Sequence, residues 1–168
     1  MAEPETKPKS KTAHIFPGQG SQSVGMGSKL YQSSPKARDV FQEADEAIQF
    51  SISRLCFEGP EEELRQTINS QPAIMAVSIA CLRAASEVNH SASPAFVAGH
   101  SLGEYTALVA ANVLKFSDAI RLVRERGRLM QMAGEIMPGG MAAVIGVDEA
   151  ILKEICCETG AEIANFNC

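Results

Sequence analysis

Gly99-His100-Ser101-Leu102-Gly103 sets a serine between two glycines, directly after an apolar run and directly before a helix-like stretch. A serine on a sharp strand-to-helix turn presents its hydroxyl clear of the backbone, and the amide that follows it points toward the same reacting atom. The pentapeptide reads as a nucleophile elbow, with Ser101 a candidate for attack on an ester or thioester. The other reading is a glycine-bounded turn whose serine only caps the following helix.

Arg126 is the second residue that could do chemistry. Ala119, Leu122, Val123, Leu129 and Met130 recur at helical spacing along one stripe, and Arg126 falls on it, whereas Arg121, Arg124 and Arg128 lie around the opposite side. A guanidinium turned inward needs an anion. One of the chain's own carboxylates could supply it in a half-buried ion pair, or the side chain could snorkel to water. The functional reading is a clamp on a substrate carboxylate, which arginine's planar fork suits better than lysine.

A third candidate is the glycine-dense turn Pro17-Gly18-Gln19-Gly20-Ser21-Gln22. As a phosphate loop it is weak: Ser23 stands where the third glycine of G-x-G-x-x-G belongs, and no Gly-Lys-Ser/Thr follows. At the end of a first strand, the same turn could offer a backbone amide to an oxyanion formed at Ser101.

These residues need a frame to hold them. Ala13-His14-Ile15-Phe16 is a strand candidate, and residues 94–98 have the character of a buried parallel strand. Helical spacing is found over 35–49 and 61–68, with Pro60 and three glutamates well placed to start the second of these. Residues 72–88 are apolar over most of the circumference, a buried helix that Pro72 begins. Residues 104–111 form a short buried helix with Asn112 as its C-terminal cap, and Ser117 caps a helix running to about residue 131. Helices alternating with short strands point to an α/β layer fold with a parallel sheet. Past Gly139-Gly140 a second unit begins: a strand over 141–147, Asp148 as cap, a helix over 149–158, Gly160 as its stop and a further strand over 161–166.

Composition narrows the partners. The chain has 168 residues, 45% of them apolar, and a net charge of -5, which argues against nucleic acid as a principal partner. No stretch has the length and apolarity of a membrane span. Residues 1–12 carry lysines and prolines without an apolar segment, and read as a disordered tail rather than a signal peptide. Cys56, Cys81, Cys156, Cys157 and Cys168 form no C-x-x-C pair and the histidines show no ligand spacing. Tolerated thiols in a reducing, cytoplasmic setting, without a metal, are the expectation.

Taken in order, Phe16-Pro17-Gly18-Gln19-Gly20-Ser21-Gln22, Gln71-Pro72-Ala73, Gly99-His100-Ser101-Leu102-Gly103-Glu104-Tyr105, Arg126-Gly127 and Asn165-Phe166-Asn167 resemble the malonyl-coenzyme A:acyl carrier protein transacylases. The resemblance runs from about His14 to the last residue. It implies malonyl transfer from malonyl-coenzyme A to the phosphopantetheine thiol of acyl carrier protein, through an ester on Ser101, in fatty acid biosynthesis and with no bound cofactor. It places an oxyanion hole at the backbone amides of Gln19 and Leu102, a carboxylate clamp at Arg126, and Asn167 and Gln71 beside the substrate. It also implies a hydrolase-like α/β subdomain, here residues 13–138, with a smaller ferredoxin-like subdomain starting within 139–168. The sequence covers about the first half of that pattern. The family's general-base histidine belongs to a segment absent from it, and neither His14, His90 nor His100 replaces that residue. A non-catalytic remnant is therefore the alternative expectation, and a serine hydrolase or thioesterase a weaker one, since its Ser, Asp or Glu, His order cannot be completed here.

Overall fold

β1 (Ala13–Phe16) runs parallel to β2 (Phe96–Gly99), Ala13 opposite Phe96 and Phe16 opposite Gly99. The computed structural model describes residues 11–88 and 94–166, so most of the expected tail, His90 and Asn167 lie outside the described residues. A parallel pair needs a crossover, and here it is made of helices: α1 (Ser28–Ser33), α2 (Pro35–Ile48), α3 (Ile52–Glu58), α4 (Glu61–Arg65) and α5 (Thr67–Val88). After β2 come α6 (Gly103–Ala110) and α7 (Phe116–Ile136). These elements form one compact unit, which ends at Met137, and a second unit starts at Pro138.

The core lies where α5 packs between α2 and α7. Every residue of α5 from 69 to 76 is buried, the polar Asn69, Ser70 and Gln71 included; from Pro72 to Ala76 the sequence is apolar on every side, as a buried helix requires. Phe41 of α2 and Ile120 and Val123 of α7 are fully enclosed around it, each contributing about 1.5–3 kcal/mol of transfer free energy. Phe41 also meets Tyr31 and Phe57 with ring centroids 5.9 and 4.9 Å away.

The structure corrects several expectations. α5 begins at Thr67, and Pro72 lies inside it. The missing proline N–H forfeits one hydrogen bond near the helix start, while the amides of Asn69 and Ser70 already donate to the Gln66 carbonyl; burial outweighs the loss. The helix expected over 61–68 stops at Arg65, where Gln66 turns extended (ψ 134°). Ser117 does not cap α7: its N-cap is Lys115, with no side-chain cap bond, and buried Phe116 anchors the start instead. The short helices α1 and α3 had too little periodicity to be read from sequence. The strand expected to be buried at 94–98 is half open. α6 packs on β1 and β2, but Ile15 and Phe96 are 78% and 60% exposed, because the two strands have only each other as sheet neighbours among the described residues.

In the second unit α8 (Glu149–Thr159) forms as expected, with Asp148 accepting from the Ala150 amide at 2.8 Å and Gly160 left-handed at φ 73°. The strands expected over 141–147 and 161–166 do not form. Strand amides and carbonyls need a neighbouring strand to pair with, and the described residues of this unit offer none. The expected start of a ferredoxin-like subdomain is thus one helix between irregular segments.

Candidate active site

The elbow forms between the end of β2 at Gly99 and the start of α6 at Gly103. Ser101 sits at φ 56°, in the left-handed region, where a residue with a Cβ carries about 1–3 kcal/mol of strain. Hydrogen bonds from Gly103 N to His100 O (2.9 Å), Glu104 N to Ser101 O (3.1 Å) and His100 N to Phe16 O (3.1 Å) hold the turn, and buried Leu102 anchors it. The flanking glycines are demanded by contact. A Cβ on Gly99 would lie 1.9 Å from the Gly103 carbonyl, and one on Gly103 would lie 2.4 Å from Phe16 O. α6 takes no side-chain cap and its N-cap is Leu102, so Ser101 does not cap the helix, and it is exposed at the turn.

The arginines of α7 resolve differently from their sequence pattern. The buried stripe is Phe116, Ala119, Ile120, Val123 and Gly127, and Leu122, Leu129 and Met130 are exposed. The helix is rotated from the expected setting, with Gly127 rather than Arg126 at the closest approach to α5: a Cβ there would lie 2.6 Å from Thr67 O. Arg124 is not on an open face; its guanidinium lies 4.3 Å above the Phe50 ring, and burial lowers its pKa. Arg121 pairs with Asp118 (3.2 Å) and Arg128 with Glu125 (2.7 Å).

Arg126 stands apart from these. One Nη donates to Gln71 Oε1 at 2.5 Å and the other to Ser101 Oγ at 2.9 Å. Both acceptors are neutral, and among the described residues no carboxylate forms an ion pair with Arg126. Gln71 is fully buried, and its amide nitrogen donates to Met130 Sδ at 3.2 Å. That donation sets the carbonyl end toward the guanidinium. The chain therefore brings Ser101, Arg126 and Gln71 together from three elements, although 55 residues separate Gln71 and Arg126.

The Pro17–Gln22 turn lies against the elbow: a Cβ on Gly18 would be 2.7 Å from His100 Nδ1 and 2.9 Å from His100 O. Ser21 Oγ donates to Gly18 O (3.0 Å), Gly20 N to Gln22 Oε1 (2.8 Å), and Gln19 Nε2 to Thr67 Oγ1 (3.3 Å). On the other side, the first turn-type bonds after Ser101 are donated by Gly103, Glu104 and Tyr105. The Leu102 amide stands ahead of that ladder, where helix N-termini leave donors free. Sequence reasoning missed Thr67 and the close approach at Gly127; a glycine inside an amphipathic helix was the available signal for the latter.

His100 packs beside Gly18 rather than on Ser101 Oγ, whose partner is Arg126. His14 Nδ1 is buried with no hydrogen-bond partner among the described residues. Cys56, Cys81, Cys156 and Cys157 are free thiols, and no group of three or more His, Cys, Asp or Glu among the described residues is placed to hold a metal ion. No described helix is long and apolar enough to cross a membrane.

Residues 13–161 match the acyl transferase domain family. A malonyl CoA-acyl carrier protein transacylase of Bacillus subtilis is 48% identical over 95% of this chain and 51% of its own length. The crystal structure of an acyl-carrier-protein S-malonyltransferase from Burkholderia pseudomallei superposes with a TM-score of 0.82 at 44% identity, over 90% of this chain and 49% of that one. A malonyl-transacylase in complex with its type II PKS acyl-carrier protein gives a TM-score of 0.80 at 43% identity, over 90% of this chain and 48% of that chain. The chain spans about half the length of the curated relatives it matches.

Proposed function

Because the chain belongs to the acyl transferase domain family, we propose that its site is built to move a malonyl group from malonyl-coenzyme A to the phosphopantetheine thiol of an acyl carrier protein, as in fatty acid biosynthesis. The names of its relatives support both substrate and partner. The observation that carries the reading is Arg126: a half-buried guanidinium, beside an elbow serine, bonded among the described residues only to neutral oxygens. A free carboxylate on the acyl chain satisfies that charge with two parallel hydrogen bonds, which an acetyl group cannot do.

In the first half-reaction Ser101 Oγ attacks the thioester carbonyl, and the carbonyl oxygen takes up negative charge. The backbone amides of Gln19 and Leu102 stabilise it; losing one such donor typically costs ~10²–10³ in rate. The carbon–sulfur bond then breaks, coenzyme A leaves as thiolate and takes a proton, and a malonyl ester remains on Ser101. Attack by the carrier thiol on that ester reverses the sequence and frees Oγ. Arg126 moves from Oγ to the malonyl carboxylate, and Gln71 keeps it in reach. Asn167 is assigned to the substrate side on the resemblance alone. The proton on Oγ needs an acceptor, which in this reading is the family's histidine on a segment outside this sequence; His100, turned against Gly18, does not serve.

Intact mass spectrometry after mixing the 168-residue chain with malonyl-coenzyme A tests the reading, with Ser101→Ala as control. The expected result is a malonyl adduct, slow in the chain alone and faster when imidazole is supplied as the proton acceptor, that Ser101→Ala abolishes and that passes to holo-acyl carrier protein. Absence of any Ser101-dependent adduct rejects acyl transfer by this chain. Arg126→Ala is expected to lose malonyl labelling while keeping acetyl labelling from acetyl-coenzyme A; undiminished malonyl labelling sinks the clamp.

A further inference from the structure

Thr67 is absent from the catalytic scheme above, yet three parts of the site converge on the first turn of α5. Gln19 Nε2 donates to Thr67 Oγ1 at 3.3 Å. The Thr67 carbonyl lies where α7 comes closest, 2.6 Å from a Cβ built on Gly127, the residue after Arg126. One turn later Gln71 accepts from Arg126, and Ile68 N donates to Gln131 Oε1 of α7 at 3.4 Å.

The Pro17–Gln22 turn needs an outside anchor. Gln19 lies between Gly18 and Gly20, and Gly20 adopts φ 106°, a conformation open to glycine with little local resistance to change. The bonds made by Ser21 and Gln22 close within the turn, whereas that of Gln19 crosses to another element. When the Gln19 side chain is tethered to α5, its own backbone amide loses the freedom to swing.

We propose that Thr67 is a positioning residue: its hydroxyl, by holding the Gln19 side chain, aims the Gln19 backbone amide at the oxyanion and sets it in register with Arg126. This rests on the acyl-transfer reading above for its catalytic consequence, but not for the linkage itself. Donor alignment, not substrate binding, is what the hydroxyl controls. Its loss lowers the rate of Ser101 acylation and leaves the malonyl-coenzyme A concentration giving half-maximal rate unchanged.

The test uses the 168-residue chain, with imidazole supplied as the proton acceptor, carrying Thr67→Val, Thr67→Ser, Gln19→Ala or the Thr67→Val/Gln19→Ala pair. Thr67→Val and Gln19→Ala are each expected to slow acylation by roughly tenfold, a part of the ~10²–10³ that outright loss of a donor costs. Thr67→Ser should restore the rate, and the double variant should be no slower than either single one, since all three break the same link. Equal rates for Thr67→Val and wild type, or fully multiplicative losses in the double variant, overturn the proposal. Nitrogen-15 NMR of the same proteins separates this from failure of the acyl-transfer reading. The side-chain and backbone amide signals of Gln19 are expected to move in Thr67→Val and return in Thr67→Ser, whether or not wild type acylates. Unmoved Gln19 signals overturn the linkage.

Discussion

Two glycines on one helix should respond to the same substitution with opposite sign. Gly127 and Gly134 both lie in α7, and Gly→Ala within a helix is worth about 0.8–1.0 kcal/mol in propensity. At Gly134 nothing lies within 4 Å of the added methyl group, so Gly134→Ala should keep part of that gain, about 0.5 kcal/mol so near the helix end. At Gly127 the methyl would meet Thr67 O at 2.6 Å and Ile68 Cα at 2.9 Å. Both are backbone atoms of a buried helix and cannot rotate away. Forcing α5 and α7 apart costs about 1–3 kcal/mol as overpacking, so the propensity gain is overrun and Gly127→Ala is destabilised by about 1 kcal/mol, with an upper end near 2. Urea unfolding followed by far-UV circular dichroism suits a chain without tryptophan. Gly127→Ala should unfold at lower urea, and Gly134→Ala at slightly higher urea, with unchanged slopes. Because Arg126 adjoins Gly127, the same displacement should reduce Ser101 labelling by malonyl-coenzyme A in Gly127→Ala and not in Gly134→Ala. Equal stabilisation by both alanines would refute the close crossing of α5 and α7 on which the Arg126 placement depends.

Gly99→Ala puts a Cβ 1.9 Å from the Gly103 carbonyl; the elbow must open, and the variant should lose about 3 kcal/mol or more, as backbone strain at a special position allows, together with all Ser101 labelling. A stable, labelling-competent Gly99→Ala would show that the turn is not built as described. Burial, helped by the Asp45 carboxylate, pushes the Cys56 thiol up to about 12. The unfolded thiol ionises near 8.5, so the contribution from this group is fully present below that pH and is lost as pH rises toward 12. Wild type should therefore lose up to about 1.4 kcal/mol per pH unit more than Cys56→Ala across that alkaline window; parallel stability curves would count against it. Iodoacetamide at pH 8 should also spare Cys56 in the folded chain and modify it in urea, as peptide mapping would read.

The local signals were legible because they are short-range. Helices α2, α6 and α8 and strand β1 follow from spacing, from Pro35 at a first helical position and from Asp148 and Gly160 as caps. The elbow followed from two glycines that a backbone contact demands. Where the reading failed, the deciding contact came from elsewhere in the chain. Periodicity admits Leu122 or Ile120 on the inner face of α7, and only the approach of α5 at Gly127 selects Ile120. Pro72 looks like a helix start until burial on every side outweighs its missing donor. Residues 141–147 have strand composition, but a strand is a property of a pair.

What the sequence determined by itself was therefore chemical and local: a serine that must sit at an elbow, glycines that admit no substitute, an arginine among the apolar positions of a helix and the family to which these belong. What only the tertiary structure decided was which groups meet. Arg126 could have paired with a carboxylate of its own chain; instead the packing of α7 on α5 delivers it to Gln71 and Ser101, and the neighbouring α7 arginines 121 and 128 take the nearby acids. A side-chain pairing across 55 residues depends on how two helices cross, and that crossing is set by the summed burial of many side chains, which no local pattern encodes.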